Sequence, residues 1–230
     1  MIVLQSKETQ CPHSSIMVFS HVDAYNIPLE QKVDALFEQK ENGFFIELGA
    51  NDGLTQSNTA FLAKTRGWKG ILIEPSKKAF DQCVQNRPES LCFHAACVSS
   101  DFSGSFVLGD FTDGSLMASV NGGRLHRGLQ EQVAATTIER ILDDNLQSST
   151  IDFLSLDTEG YELPILEGLN LKKYRPRYML IEIYEKDYEK ITNFLTSNGY
   201  QMHSNFSGYT KELCPHWDGT HNDYLFYDTK

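Results

Sequence analysis

"FFIELGANDG", residues 44–53, decides the fold. An apolar run is interrupted by Glu47, and two glycines, an Asn and an Asp then follow within a few positions. A strand that runs into a Gly-rich turn lets backbone come close to a ligand. The helix after such a turn offers unpaired N–H groups. In an open parallel sheet, ligands bind beyond the carboxyl ends of the strands, where the chain order reverses. The stretch therefore reads as the first strand and the ligand turn of an α/β domain.

The pattern on either side supports this. Upstream, Pro28 with Leu29, Val33, Leu36 and Phe37 at helical spacing predicts a helix, stopped at Gly43. Downstream, Ser57 to Lys64 reads as a helix, "GILIE" (70–74) as a strand, Lys77 to Asn86 as a helix and "LCFHAACV" (91–98) as a third strand. "DFSGSFVL" (101–108) resembles a short hairpin arm, and residues 109–128 read as a long Gly/Ser-rich loop. A helix over 136–145, a strand over 151–157, a short helix near 162–167, a strand over 178–184, a helix over 186–200 and strands near 200–204 and 223–227 complete the chain. The strands are too apolar for a one-sided sheet, so helices should cover both faces. Residues 27–230 read as a single domain, and residues 1–26 as an arm, a lid or an edge strand.

The turn is selective in its spacing. A dinucleotide fold uses G-x-G-x-x-G to seat a pyrophosphate. Here Glu47-Leu48-Gly49-Ala50-Asn51-Asp52-Gly53 is E-x-G-x-x-x-G. The preceding carboxylate would repel a pyrophosphate and suits a cationic ligand. S-adenosylmethionine carries both an ammonium and a sulfonium. Glu74 ends the next strand, where an acidic residue can accept both hydroxyls of a ribose. The plain alternatives are a strand-to-helix turn with a capping Asp and an exposed strand-end Glu.

Composition narrows the partners. With 230 residues, 40% hydrophobic and 22% charged, the chain is that of an ordinary globular protein. Its net charge of −11 argues against a broad attraction to nucleic acid or an anionic membrane. Five cysteines without a C-x-x-C give no disulfide framework or zinc knuckle. No long apolar run marks a signal peptide or a membrane span. A soluble, cytoplasmic protein with a small-molecule or glycan acceptor is expected.

"FFIELGANDGLTQSNT", "GWKGILIEPS", "AACVS", "DFLSLDTEGYELPILEGL" and "MLIEIY" together resemble the FkbM-type methyltransferases, over most of the chain from Gly43 to "NDYLFY". The resemblance implies a Rossmann-like, mostly parallel seven-stranded sheet whose last strand inserts antiparallel. It implies S-adenosylmethionine as cofactor and methyl transfer to a hydroxyl, often on a sugar or polyketide. By motif, Glu47, Gly49, Ala50, Asn51, Asp52 and Gly53 would surround the methionine part of the cofactor, with Ser57 and Asn58 near its amino-acid tail. Glu74 would hold the ribose, Pro75 and Ser76 would flank the adenine, and Ala96 and Cys97 would lie at the adenine edge.

Asp157 ends the fourth strand of the βα series and would face the transferable methyl. Asp157 and Glu159 are the best carboxylates to take the acceptor's proton, with His126 in the long loop as a further candidate. A helix cap at Asp157 and a solvated Glu159 are the alternatives. Glu182 could join Asp157 in a site for Mg²⁺ or Mn²⁺. His216 and His221 flank Trp217 and Asp218 in a C-terminal loop that could form a platform for a sugar, and His94 reads as packed. An NAD-dependent dehydrogenase, or an inactive cofactor-binding scaffold, are the rival functions. The missing G-x-G-x-x-G speaks against the first, and the acidic strand ends at Glu47, Glu74 and Asp157 speak against the second.

Overall fold

Seven strands form the central sheet of the computed structural model, in which residues 18–111, 131–146 and 150–230 are described. In chain order the elements are α1 (Leu29–Leu36), β1 (Phe44–Leu48), α2 (Ala60–Arg66), β2 (Lys69–Glu74), α3 (Lys77–Asn86), β3 (Leu91–His94), β4 (Ala96–Cys97), β5 (Phe106–Gly109) and β6 (Glu131–Thr136). They continue with α4 (Ile138–Asn145), β7 (Thr150–Leu156), α5 (Glu162–Glu167), β8 (Arg175–Tyr184), α6 (Tyr188–Ser197), β9 (Tyr200–Asn205) and β10 (His221–Asp228). The central sheet runs β3-β2-β1-β7-β8-β10-β9. β1, β2, β3, β7 and β8 pair in parallel, and β10 enters antiparallel between β8 and β9. The order therefore reverses between β1 and β7.

Side-chain alternation divides the strands between two cores. Ile46, Leu48, Ile71, Ile73, Leu154, Leu156, Met179 and Ile181 pack with residues of α4, α5 and α6. Phe45, Leu72, Phe153, Leu180 and Leu225 pack on the other face with Leu29, Val33, Leu62 and Cys83 of α1, α2 and α3. Burying each such side chain contributes about 1.5–3 kcal/mol. Helices thus cover both faces, which is why the strands are nearly continuously apolar.

Several element boundaries differ from expectation. α1 ends at Leu36 because Glu38 and Gln39 turn to positive φ, well before Gly43. Residues 91–98 are two strands: β3 joins the central sheet and β4 pairs with β6 in a separate three-stranded sheet, β4-β6-β5. The expected hairpin arm is instead β5, pairing antiparallel with β6 from Phe106↔Ala134 to Gly109↔Glu131. β6, "EQVAAT", carries weak strand propensity and gave no sequence signal. Most of the expected long loop, with His126, lies outside the described residues.

Residues 18–26 are tied down. The Glu30 carboxylate accepts the N–H groups of Phe19 and Ser20, Asp23 pairs with Lys32 at 2.8 Å, and Ala24 donates to the Ser207 carbonyl. They join α1 to the segment after β9. Residues 1–17 are outside the description. Among the described residues no helix is long and apolar enough to cross a membrane.

Candidate active site

A cleft opens at the carboxyl ends of β1, β2 and β7, at the order reversal. Gly49 and Asn51 line one wall, Glu74 and Pro75 another, Ala95, Ala96, Cys97 and Phe111 a third, and Asp157, Thr158, Glu159 and Tyr161 the far end.

The turn after β1 is built by close approach. Gly49 has φ +77°, and a Cβ there would run into the backbone carbonyl of Asp157. Only glycine permits this contact, so β7 can bring Asp157 beside the turn. Gly49 and Ala50 donate to the Ile73 carbonyl, which ties the turn to the end of β2.

Glu74 is 6% exposed. Its Oε2 accepts Asn51 N–H at 2.8 Å and its Oε1 accepts Ser76 N–H at 2.7 Å. A carboxylate has about four acceptor positions, so each oxygen keeps capacity for one further donor. Two such open acceptor positions suit a ribose diol. Burial, opposed by the two N–H donors, pushes the Glu74 carboxyl up to about 7. Because its native value exceeds that of the unfolded chain, the stability it contributes without ligand falls as pH rises from about 4.5 to 7. Hydroxyl donors need the ionised form. Affinity for S-adenosylhomocysteine should therefore decline below pH 7, approaching about tenfold per unit. Calorimetry from pH 5.5 to 8 checks this; a flat profile would show that Glu74 does not meet the diol.

At the far end, antiparallel pairing sets Asp223 opposite Glu182 and His221 opposite Tyr184, while β7 delivers Asp157 just past Leu156, the partner of Ile181. Asp157 and Glu182 are neighbouring buried carboxyls. Burial first, then neighbouring carboxylates, pushes Asp157 well above the usual range and Glu182 up to about 12. The pair therefore retains a proton near neutral pH. Glu182 Oε1 lies 3.1 Å from His221 Nε2. Glu159 sits at positive φ (59°), and its Oε2 accepts the Tyr184 hydroxyl at 2.6 Å. A non-glycine residue held in the left-handed region at a cleft is a hallmark of functional sites. Glu162 braces this loop by accepting Thr158 N–H and Gly160 N–H, both at 3.0 Å.

The structure thus brings together Gly49, Asn51, Glu74, Pro75, Ala96, Cys97, Asp157 and Glu159. Other expected site residues stand behind the wall. Glu47 shares the face of Phe45, and its carboxylate turns toward α2, accepting Ser57 Oγ (2.8 Å), Asn58 N–H (2.8 Å) and Thr59 Oγ1 (2.7 Å). It fastens the turn and is not among the residues lining the cleft. Ser57 and Asn58 are buried with it. Asp52 accepts Leu54 and Thr55 N–H within its own turn. Ala50 is core, and the Gly53 carbonyl accepts from Arg87. Ser76 acts indirectly, donating to the carbonyl of Phe111, which does line the cleft.

Of the expected metal pair, Asp157 lines the cleft and Glu182 does not. No group of three or more His, Cys, Asp and Glu suited to a metal occurs among the described residues. His94 is partly buried and meets the Pro75 carbonyl at 2.9 Å. Phe111, Tyr161, Thr55 and Gln56 were not legible as lining residues, since each reaches the cleft from a loop.

A reversed parallel sheet with an antiparallel inserted strand, and carboxylates lining the cleft at the ends of β2 and β7, are the architecture of a class I, S-adenosylmethionine-dependent methyltransferase. The model of the methyltransferase FkbM domain matches residues 47–202, and this chain belongs to that family. No curated protein matches. Among solved structures, a METTL16 methyltransferase domain is similar at 11% identity, TM-score 0.50, covering 88% of this chain and 68% of that one. A TehB-like methyltransferase from Corynebacterium glutamicum shows 10% identity, TM-score 0.46 and 87% coverage of both chains. TrmK of M. capricolum, bound to S-adenosylhomocysteine, shows 10% identity, TM-score 0.48 and coverage of 86% and 68%.

Proposed function

We propose that this protein methylates a hydroxyl oxygen of a carbohydrate, whether free sugar, nucleotide sugar or glycan. The observation that carries the reading is the Asp157–Glu182 pair at the methyl end of the cleft, flanked by Glu159. The cofactor, when bound, supplies an electrophilic methyl on a positively charged sulfur. The remaining work falls to the chain. Burial makes Asp157 a stronger base than an exposed carboxylate, and a cation beside it favours its ionised form. The proton held by the pair then resides on Glu182, which donates it to Asp157 and orients that carboxylate. The free oxygen of Asp157 accepts the hydroxyl proton as the new C–O bond forms. Glu159, fixed by Tyr184, accepts a second hydroxyl of a polyol. Carboxylates that accept hydrogen bonds suit a sugar's donors.

The direct test is transfer of labelled methyl from S-adenosylmethionine to a panel of sugars, nucleotide sugars and glycans, with and without chelator. Methylated oxygen on a carbohydrate, unchanged by chelator, is expected. Labelling only of amines or of non-carbohydrate hydroxyls would overturn the acceptor class. Activity lost to chelator and restored by Mg²⁺ or Mn²⁺ would replace proton sharing at Asp157 and Glu182 by a metal. Cofactor binding has its own check. S-adenosylmethionine and S-adenosylhomocysteine should raise the melting temperature, since a ligand that binds only the native state stabilises it. At a hundredfold excess over Kd the gain is about 2.7 kcal/mol. A comparable shift with NAD would favour a dehydrogenase, and no shift at millimolar cofactor would remove the reading altogether.

A further inference from the structure

Two thiols lie behind the Gly turn, outside the chemistry described above. Cys83, on α3, is buried, and Cys92, on β3, is half-buried. Their sulfurs are 3.9 Å apart. A disulfide is about 2.05 Å long, so the thiols are unbonded and need to close by about 1.9 Å. Cys83 also supports the turn: its Sγ would lie 3.1 Å from a Cβ placed on Gly53. One helical turn on, the fully buried Arg87 donates to the Gly53 carbonyl at 3.0 Å.

We propose that Cys83 and Cys92 are a peroxide-oxidisable dithiol whose closure loosens the Gly49–Gly53 turn. The roles of the two sulfurs differ. Either thiol can donate to the other; with Cys83 as donor, that bond, opposed by burial and helped by the Arg87 charge, lowers Cys92 toward the thiolate. Cys83 is raised by the same bond and by burial. The charged groups around the pair are Arg87, Glu89 and Glu47. Cys92 is the attacking sulfur and Cys83 the resolving one.

The chemistry balances with one hydrogen peroxide. The Cys92 thiolate attacks a peroxide oxygen. The S–O bond forms, the O–O bond breaks, and hydroxide leaves to become water, giving a sulfenic acid at Cys92. The Cys83 sulfur then attacks Cys92. The S–S bond forms, the S–O bond breaks, and the departing oxygen takes the Cys83 proton as a second water. Two thiols are oxidised by two electrons and the peroxide is reduced to two waters. Closure draws the Cys83 sulfur toward β3 and away from Gly53. The effect on affinity rests on the cofactor reading above.

The test uses the full chain in three states: reduced, treated with hydrogen peroxide, and re-reduced with dithiothreitol. Peptide mapping should find Cys83 joined to Cys92 after peroxide, with two hydrogens lost per link. Calorimetry with S-adenosylhomocysteine should show Kd raised roughly three- to tenfold in the linked state, the scale of coupling between touching groups, and restored by dithiothreitol. Cys92→Ser should bind like reduced wild type and ignore peroxide. Absence of the link, a link with unchanged Kd, or an equal peroxide effect in Cys92→Ser would each overturn the proposal. Reduced protein that binds no cofactor would sink the methyltransferase reading and the effect on affinity, while the peptide map still reports separately on the dithiol.

Discussion

Asp157→Asn should lower methyl transfer by about 10²–10⁴-fold, the usual contribution of a positioned base, while the protein melts no lower than wild type. The pairing of these two outcomes is the informative part. Asparagine keeps the shape and can still accept the Glu182 proton through its carbonyl oxygen, so the Asp157–Glu182 contact survives. It also removes a buried charge that Glu159, Asp223 and Glu162 oppose. The native Asp157 value lies above that of the unfolded chain. The stability it contributes is therefore present at low pH and lost as pH rises. The variant's advantage in melting temperature should accordingly grow from about pH 4 upward. Its Kd for S-adenosylhomocysteine should stay close to wild type, because Asp157 serves the acceptor. Near-normal turnover of a confirmed acceptor would show that Asp157 is not the base; nor does it cap α5, whose N-cap is Tyr161. Glu159 would then be the next candidate for the base.

Glu74→Ala should weaken S-adenosylhomocysteine binding about 100-fold or more. Each charge-assisted hydrogen bond removed is worth about 1.5–3 kcal/mol, and two ribose hydroxyls lose their acceptor together. The structure adds a second cost. Asn51 N–H and Ser76 N–H both depend on Glu74, so the turn and the adenine side lose their shared tie. The fold should persist, because the buried, proton-holding carboxyl at the end of β2 stabilises little of the core. The decline in affinity below pH 7 should vanish in this variant. A folded Glu74→Ala protein with unchanged Kd would show that the ribose lies elsewhere.

The fold was largely legible because each cue was local. Pro28 marked the start of α1, the apolar runs marked β1, β2, β7 and β8, and Asn198-Gly199 marked the end of α6. What escaped depended on partners far along the chain. β4 and β6 pair through Ala96↔Ala135 and Cys97↔Thr136, short residues with no strand pattern of their own. The site divides in the same way. Glu74 and Asp157 end strands and face the cleft, so position alone placed them. Glu47 also sits near a strand end, but its parity turns it to the opposite duty. Parity can be counted from sequence, yet which face holds the ligand cannot. Nor does any local cue show that β10 sets His221 and Asp223 around Glu182, because that meeting depends on an antiparallel register.

Arg87 gives the Gly turn an owner outside its own loop. This guanidinium, with no exposed surface, donates to the Gly53 carbonyl, reaches Ser57 and Thr59 at 3.4 and 3.3 Å, and pairs with Glu47 at 3.9 Å and Glu89 at 2.8 Å. The loop between β1 and α2 is thus clasped by a residue from the following βα unit. Residues 47–59 are therefore not a portable cassette. Grafted into another scaffold without an arginine at the end of the second helix, they would carry the buried Glu47 carboxylate without its counter-charge. Removing one partner of a buried charge pair costs about 3–5 kcal/mol. The transplantable unit extends from Glu47 through Arg87, two βα turns travelling as one piece.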